Sequence, residues 1–226
     1  MKGIAYGVGV GPGDPELMTL KAVRLIREND VIAVPGKVAE EAVAYKIAEA
    51  VVPELAQKEL LPIYMPMVKD RALIDQEHQR AAKLVESYLD QGKNVVYITL
   101  GDSTIYCTFS YIQHYLEADG YTVELVSGIP SFCAAAAALN LPLTEWDEPL
   151  HILPAVHKLE DQLDLPGNYV LMKSASKMAQ VKDMLRRSGR RVAMAENCTM
   201  DNEKLYHSVD EIPDDAGYFS LIIAKE

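Results

Sequence analysis

The stretch Gly7 to Ala22, "GVGVGPGDPELMTLKA", constrains the fold more than any other part of the chain. Glycines stand at positions 7, 9, 11 and 13, Pro12 sits among them and Asp14 follows. Glycine is used where backbone takes φ > 0 or comes close to another group. Ile4 to Val8, before the loop, read as a short buried strand. Leu17 to Arg27, after it, read as a helix with an apolar face at Leu17, Leu20, Val23 and Ile26. Two phosphate-binding readings fail on spacing. In the dinucleotide pattern G-x-G-x-x-G the last glycine is Asp14 counted from Gly9, and Pro12 counted from Gly7. The phosphate loop G-x-x-x-x-G-K-[ST] fails because Gly36-Lys37 is followed by Val38 and Gly92-Lys93 by Asn94. Asp14 and Glu16 also place negative charge at the helix start, where a phosphate would otherwise sit. A tight strand-to-helix turn that holds no ligand remains the alternative.

Further along, strands alternate with helices. Asp30 to Gly36 is a strand ending in a turn, and a helix over about Glu40 to Val52 is closed by Pro53. "KELLPIYMP" starts like a strand, "DRALIDQEHQRAAKLVESYLDQG" is a long amphipathic helix ending at Gly92, and Asn94 to Asp102 is a β-rich run of the fully buried kind. A helix over Tyr106 to Ala118 and the strand "YTVELVSG" follow. This order implies a parallel sheet with right-handed crossovers over residues 1–128. Residues 129–226 read as a second α/β domain with a mixed sheet. They carry a small-residue helix, the strand-like runs "LHILPA", "NYVLMK", "RRVAMAE", "KLYHSV" and "YFSLIIAKE", and a helix over Ser176 to Arg187. Ligands in such folds sit at the carboxyl ends of the parallel strands, so the cleft between the domains is the expected active site.

Composition narrows the partners. The formal net charge of -11 over 226 residues disfavours nucleic acid. The most apolar stretch, "CAAAAALNLPL", is too short to span a bilayer, so no membrane is expected. Met1-Lys2-Gly3 runs into the first strand without room for a signal peptide. Three cysteines, Cys107, Cys133 and Cys198, show no metal-ligand spacing, a pattern of reducing compartments; a cytoplasmic protein without a resident metal is expected.

A second loop, "TLGDSTIY" over Thr99 to Tyr106, lies at the end of the buried run and offers backbone amides and the Asp102 carboxylate, with Ser103 and Thr104 placed to cap the next helix. Asp102 as no more than a helix cap is the alternative. A third small-residue turn, "SGIPSF", ends the next strand in the same way.

Together, "GVGVGPGDPELMTLKA", "TLGDSTIY" and "SGIPSFCAAAAALNLPL", in this order and spacing, resemble the tetrapyrrole methylase family, S-adenosylmethionine-dependent enzymes of cobalamin and sirohaem synthesis. "TLGDSTIYCTFSYI" and "YMPM" resemble its C-20 methyltransferases, which act on precorrin-2 or cobalt-factor II, and the likeness runs through "LMK", "AENCT" and the closing "YFSLIIAKE". The resemblance implies two α/β domains, S-adenosyl-L-methionine as methyl donor, a tetrapyrrole substrate and a homodimer. By similarity, Pro12 lies near donor or substrate; Leu100, Gly101, Asp102 and Ile105 contact the methionine part; Pro130 and Ser131 form the next contacting turn. Met172 and Cys198 contribute from the second domain, and Ser220 and Leu221 flank the adenine. Asp102 or Tyr106 assists removal of the proton from the methylated carbon.

Two residues depart from the family pattern. Ser103 stands where a proline is common, which alters loop stiffness. Cys198 stands where many relatives have glycine, so its side chain must turn away from the donor or make the pocket tighter than usual. An acidic chain that binds a polycarboxylate needs local cations, and Lys37, Lys69, Arg71, Lys173 and Lys177 fall near strand-end loops. His78, His114, His151, His157 and His207 show no metal spacing; Tyr106, Tyr111 and Tyr115 form an aromatic stripe of the kind that serves core or dimer packing rather than a substrate platform. The remaining alternatives are methylation at another ring position, a diphthine synthase-like protein methylase and a non-catalytic tetrapyrrole carrier.

Overall fold

Alternation of buried side chains along two short strands builds a sheet covered on both faces. A computed structural model describes residues 1–66, 68, 70–154 and 163–226, which fall into two compact units, Met1–Pro130 and Ser131–Glu226.

In the first unit, strands β1 (Ile4–Gly9), β2 (Val31–Pro35), β3 (Glu59–Ile63), β4 (Val95–Thr99) and β5 (Thr122–Val126) form one sheet in the order β3-β2-β4-β1-β5. Every pairing in it is parallel. On β2 and β4, Ile32, Val34, Val96 and Ile98 point to one face. There they join Ala22, Leu25 and Ile26 of helix α1 (Leu20–Glu28) and Tyr45 and Ala48 of α2 (Val43–Val51). Val31, Ala33, Val95 and Tyr97 point to the other face. They meet Ala81, Val85 and Leu89 of α3 (Arg71–Leu89) and Ile112 and Leu116 of α4 (Phe109–Ala118). The two-residue period of the strands decides which core each residue enters. Pro62 is tolerated because β3 is the sheet edge.

The helix expected over Leu17 to Arg27 is broken. Pro15–Leu17 form a single 3-10 turn, Thr19 takes extended backbone (φ -73°, ψ 146°) and accepts from Ala22 N at 3.2 Å, and α1 starts afresh at Leu20. That restart rotates the buried face to Ala22, Leu25 and Ile26, leaving Leu20 fully exposed. The helices expected from Glu40 and Tyr106 likewise begin three residues later, at Val43 and Phe109.

The second unit contains α5 (Ser131–Ala138), β6 (Leu150–Pro154), β7 (Asn168–Met172), α6 (Met178–Ser188), β8 (Arg191–Glu196), β9 (Lys204–Tyr206) and β10 (Ser220–Lys225). The sheet order is β6-β7-β10-β8-β9, with β6 and β7 parallel and the other pairs antiparallel. The sheet is therefore mixed, as expected. Met178, Val181, Met184 and Leu185 of α6 pack on Tyr169, Leu171, Val192, Met194 and Ile222, and α5 lies along β10 and β8. No helix among the described residues is long and apolar enough to cross a membrane.

Candidate functional site

Two glycines of the first loop, Gly9 and Gly11, are explained by backbone meeting backbone. β4, β1 and β5 are neighbours, so the three loops leaving their carboxyl ends are forced together. Gly11 and Gly101 pair across an antiparallel bridge, with Gly11 N to Gly101 O at 3.1 Å and Gly101 N to Gly11 O at 2.7 Å. Both sit at positive φ, 82° and 75°, where only glycine is unstrained. A Cβ on Gly9 would lie 2.6 Å from Gly101 O, and one on Gly128 only 2.2 Å from the same oxygen. The result is a tight wall of main chain in which Pro12 and Gly101 are buried and Leu100 leans on the core beneath.

No phosphate cradle is present at the first turn. Asp14 Oδ1 accepts from Glu16 N at 2.8 Å, so the chain's own carboxylate takes the anion's place at the 3-10 turn.

Asp102 fastens this wall. Only 6% of it is exposed. Its Oδ1 accepts from Thr104 N at 2.7 Å and from the Thr104 hydroxyl, and its Oδ2 accepts from Gly128 N at 2.8 Å. Ser103 Oγ donates to Val126 O at 3.0 Å, a second tie to the end of β5. The capping role expected for Ser103 and Thr104 is not found: α4 starts at Phe109, and its cap residue Thr108 makes no side-chain cap bond. Ser103 and Thr104 are spent on the loop itself, and Asp102 is not a helix cap. Ile105 is half-buried, and Tyr106 follows at φ 49° with 47% exposure. Pro130 and Ser131, both half-buried, end the third loop.

The second unit gathers its own set at one end of its sheet. Met172 pairs with Leu221 across β7 and β10, and Ser220 pairs with Glu196 across β10 and β8. Asn197 N donates to Phe219 O at 3.0 Å, which places Cys198 beside them. Met172, Cys198, Ser220 and Leu221 therefore share a strand end. Asn197 (φ 51°) and Thr199 (φ 63°) hold left-handed backbone on either side of Cys198, an arrangement that surrounding bonds must maintain. The Cys198 side chain is buried; burial first, and then the Glu203 carboxylate beside it, push the thiol pKa up to about 12. The thiol is thus neutral and its sulfur is directed at Glu203.

Three participants escaped the sequence reading. Gly128 lies inside the "SGIPSF" turn but shows its role only once Gly101 O is seen against it. Glu196 ends a buried run with a carboxylate that accepts from Gly217 N at 2.6 Å and from the Tyr206 hydroxyl at 3.3 Å, fixing the approach to Ser220. A lone charge closing "RVAMAE" was the available signal. Ser174 Oγ, just beyond Met172, is buried without a hydrogen-bond partner among the described residues.

Of the basic residues, Lys37 stands after β2 with its Nζ 4.6 Å from the centre of the Tyr64 ring, at the carboxyl end of the first sheet. Arg71, Lys173 and Lys177 are exposed, and Lys69 lies outside the described residues, as do His157 and Met67 of "YMPM". Tyr111 stacks on His78 at 4.5 Å and Tyr115 bonds to Asp75, so these tyrosines pack α4 on α3; burial lowers the His78 pKa.

Residues 5–213 match the family model described as Tetrapyrrole (Corrin/Porphyrin) Methylases. The chain is 38% identical to a probable cobalt-precorrin-2 C(20)-methyltransferase of Methanocaldococcus jannaschii over 224 residues, covering 97% of this chain and 95% of that one. It is 29% identical to a precorrin-2 C(20)-methyltransferase of a Sinorhizobium species, covering 98% and 94%. In fold it is similar to a uroporphyrin-III C-methyl transferase from Thermus thermophilus complexed with S-adenosyl homocysteine, with TM-score 0.71, 23% identity and coverage of 99% and 98%.

Proposed function

The chain belongs to the tetrapyrrole methylases, and on that premise we propose that it transfers a methyl group from S-adenosylmethionine to C-20 of precorrin-2 or its cobalt-bound counterpart in cobalamin synthesis. The observation that carries this reading is the 38% identity to a C(20)-methyltransferase along 97% of the chain. We place the activity in the cytoplasm and in a two-copy assembly.

When bound, the donor supplies a methyl group on a positively charged sulfur. The residues present fit such a group. Unit one offers a main-chain wall in which the buried Asp102 carries negative charge, favourable to an ammonium and a sulfonium. Unit two offers the half-buried Met172 and, just beyond it, the Ser174 hydroxyl, which has no hydrogen-bond partner among the described residues. By the family resemblance, Pro12, Leu100, Gly101, Ile105, Pro130, Ser131, Met172, Ser220 and Leu221 are the residues that would hold the donor. Cys198 shapes the turn beside the last three, its thiol directed elsewhere.

The accepting carbon of a reduced tetrapyrrole is enamine-like and already nucleophilic. The chain's task is to align the partners and exclude water, which can supply roughly 7–11 kcal/mol of the barrier. Asp102 acts by holding the wall in register and through its charge. Tyr106, exposed on the same loop, takes the part of moving the proton released from the methylated carbon out to solvent. Lys37, Arg71, Lys173 and Lys177 attract the substrate's carboxylates.

The test is anaerobic incubation with donor and substrate. A product heavier by one methyl supports the reading. Substrate recovered unmethylated on every tetrapyrrole of the pathway, with donor bound, overturns it.

A further inference from the structure

β8 closes on a charge that the strand itself does not need. It runs buried through Val192, Ala193, Met194 and Ala195 and ends at Glu196, only 8% exposed. Burying a carboxylate is unfavourable unless it is hydrogen-bonded, and both oxygens of this one are. Oε1 accepts from Gly217 N at 2.6 Å, and Oε2 accepts from the Tyr206 hydroxyl on β9 at 3.3 Å.

What the carboxylate holds is the turn that leads into β10. Ala216 is buried and roots this turn in the core of the second unit. Gly217 follows, and a Cβ there would lie 2.9 Å from Glu196 Oε1, so glycine lets amide and carboxylate close on each other. Gly217 O accepts from Ser220 Oγ at 2.7 Å, and Phe219 O accepts from Asn197 N at 3.0 Å. Ser220 pairs with Glu196 in the sheet. Glu196 therefore fixes the turn at both ends, by its side chain at 217 and by its main chain at 220. A buried polar network whose members are satisfied rigidifies what it joins. The Ser220 hydroxyl is engaged within the turn. The side chains that the turn leaves in solvent are Tyr218 and Phe219, whose ring centres lie 5.3 Å apart, edge to face at 79°. They adjoin the strand end that carries Met172 and Leu221.

We propose that Glu196 is a positioning residue for the methyl donor. Its carboxylate sets the course of residues 217–220, and with it the place of the Tyr218–Phe219 edge against which the flat adenine base of the donor rests. Aromatic side chains take such bases through their π faces and edges, and rings on a turn that is already ordered lose little freedom on binding. Glu196 acts through the turn and touches no part of the donor. The inference rests on S-adenosylmethionine as the donor and not on which ring carbon is methylated.

Calorimetry of the full chain with S-adenosylhomocysteine is the test, because it reads affinity and the fraction of competent sites separately. Glu196→Ala releases the Gly217 amide and weakens binding at least tenfold at unchanged stoichiometry. Glu196→Gln keeps an oxygen for that amide and returns the affinity to within threefold of wild type. In turnover, Glu196→Ala raises the donor KM at least tenfold and leaves kcat within threefold. Tyr218→Ala leaves every bond of the turn in place and weakens binding at least threefold. Arg190→Gln is the control for stability alone. Arg190 Nη1 donates to Gly167 O at 2.7 Å at the opposite end of the same sheet, so this variant melts earlier and binds as wild type. Should Glu196→Ala not fold, Gly217→Ala, which retains the carboxylate but pushes it aside, carries the test and weakens binding at least threefold. Wild-type affinity in the folded Ala variants overturns the inference, as does equal loss in Glu196→Gln or in Arg190→Gln; the donor reading then stands. A wild-type chain with no affinity for S-adenosylhomocysteine overturns both.

Discussion

The Gly128 amide donates to Asp102 Oδ2 across 2.8 Å, joining the ends of β5 and β4 inside a wall that solvent barely reaches. The other oxygen of the same carboxylate takes the Thr104 amide at 2.7 Å. One side chain therefore satisfies two loops, and a change there acts on the wall before it acts on any proton. Asp102→Asn keeps the shape but turns an NH2 toward one of two amide donors. An unsatisfied buried donor costs about 1–3 kcal/mol. Expected are a lower melting temperature, a KM for S-adenosylmethionine raised about tenfold and a kcat within about threefold of wild type. A kcat reduced a hundredfold at unchanged KM would instead make Asp102 the proton acceptor.

Gly128→Ala puts a Cβ 2.2 Å from Gly101 O, a main-chain atom that cannot turn aside. Overpacking of this kind costs about 1–3 kcal/mol and spreads the three loops apart. Calorimetry with S-adenosylhomocysteine should detect at least tenfold weaker binding. Gly120→Ala is the control: Gly120 also has positive φ, 77°, but nothing lies within 4 Å of its added Cβ. It should cost some stability through backbone strain and leave binding unchanged.

The three thiols should separate by reactivity. Cys133 is exposed while Cys107 and Cys198 are buried, and burial raises both of the latter pKa values. Ellman's reagent at pH 8 should titrate one thiol in the native chain, lost in Cys133→Ser, and three after denaturation. The folded state holds Cys198 neutral up to about 12, against 9.0 for an unperturbed thiol. Its contribution to stability is therefore complete below pH 9 and is lost as the pH rises from 9 toward 12. Urea unfolding between about pH 8 and pH 10.5 should show a fall that is shallower in Cys198→Ala.

Binding of a polycarboxylate by an acidic chain should depend on salt through its local cations. Lys37, set over Tyr64 at the carboxyl end of the first sheet, is the clearest of them. Raising ionic strength should raise the tetrapyrrole KM, and Lys37→Gln should raise it about two- to fivefold with kcat unchanged. A KM that does not move with salt would remove the basic residues from substrate binding.

The parallel first sheet and the mixed second sheet were legible because buried strands such as "VVYIT" and "SLIIAK" advertise themselves in composition and period. Helix starts were less so. The restart at Thr19 depends on one extended residue, and it moved Leu20 from the expected apolar face to solvent. The site was legible as three glycine-bearing loops, but not in its mechanics. Which glycine faces which carbonyl depends on β4 and β5 flanking β1, a long-range fact that local sequence does not carry. Ser103 looked like a cap for the same reason, since its true partner, Val126, is set by tertiary contact, whereas Thr104 bonds locally to Asp102, two residues back. Glu196 went unnoticed because its partner, Gly217, lies 21 residues away.

The central claim is methylation at C-20, and the most direct measurement uses S-adenosylmethionine labelled with carbon-13 in its methyl group. Anaerobic reactions with metal-free precorrin-2 and with its cobalt-bound counterpart would be followed by product mass and by carbon NMR. The expected result is one labelled methyl on one of the two substrates, bonded to the C-20 meso carbon. A labelled methyl at any other ring position, or none on either substrate while donor binds, would contradict it.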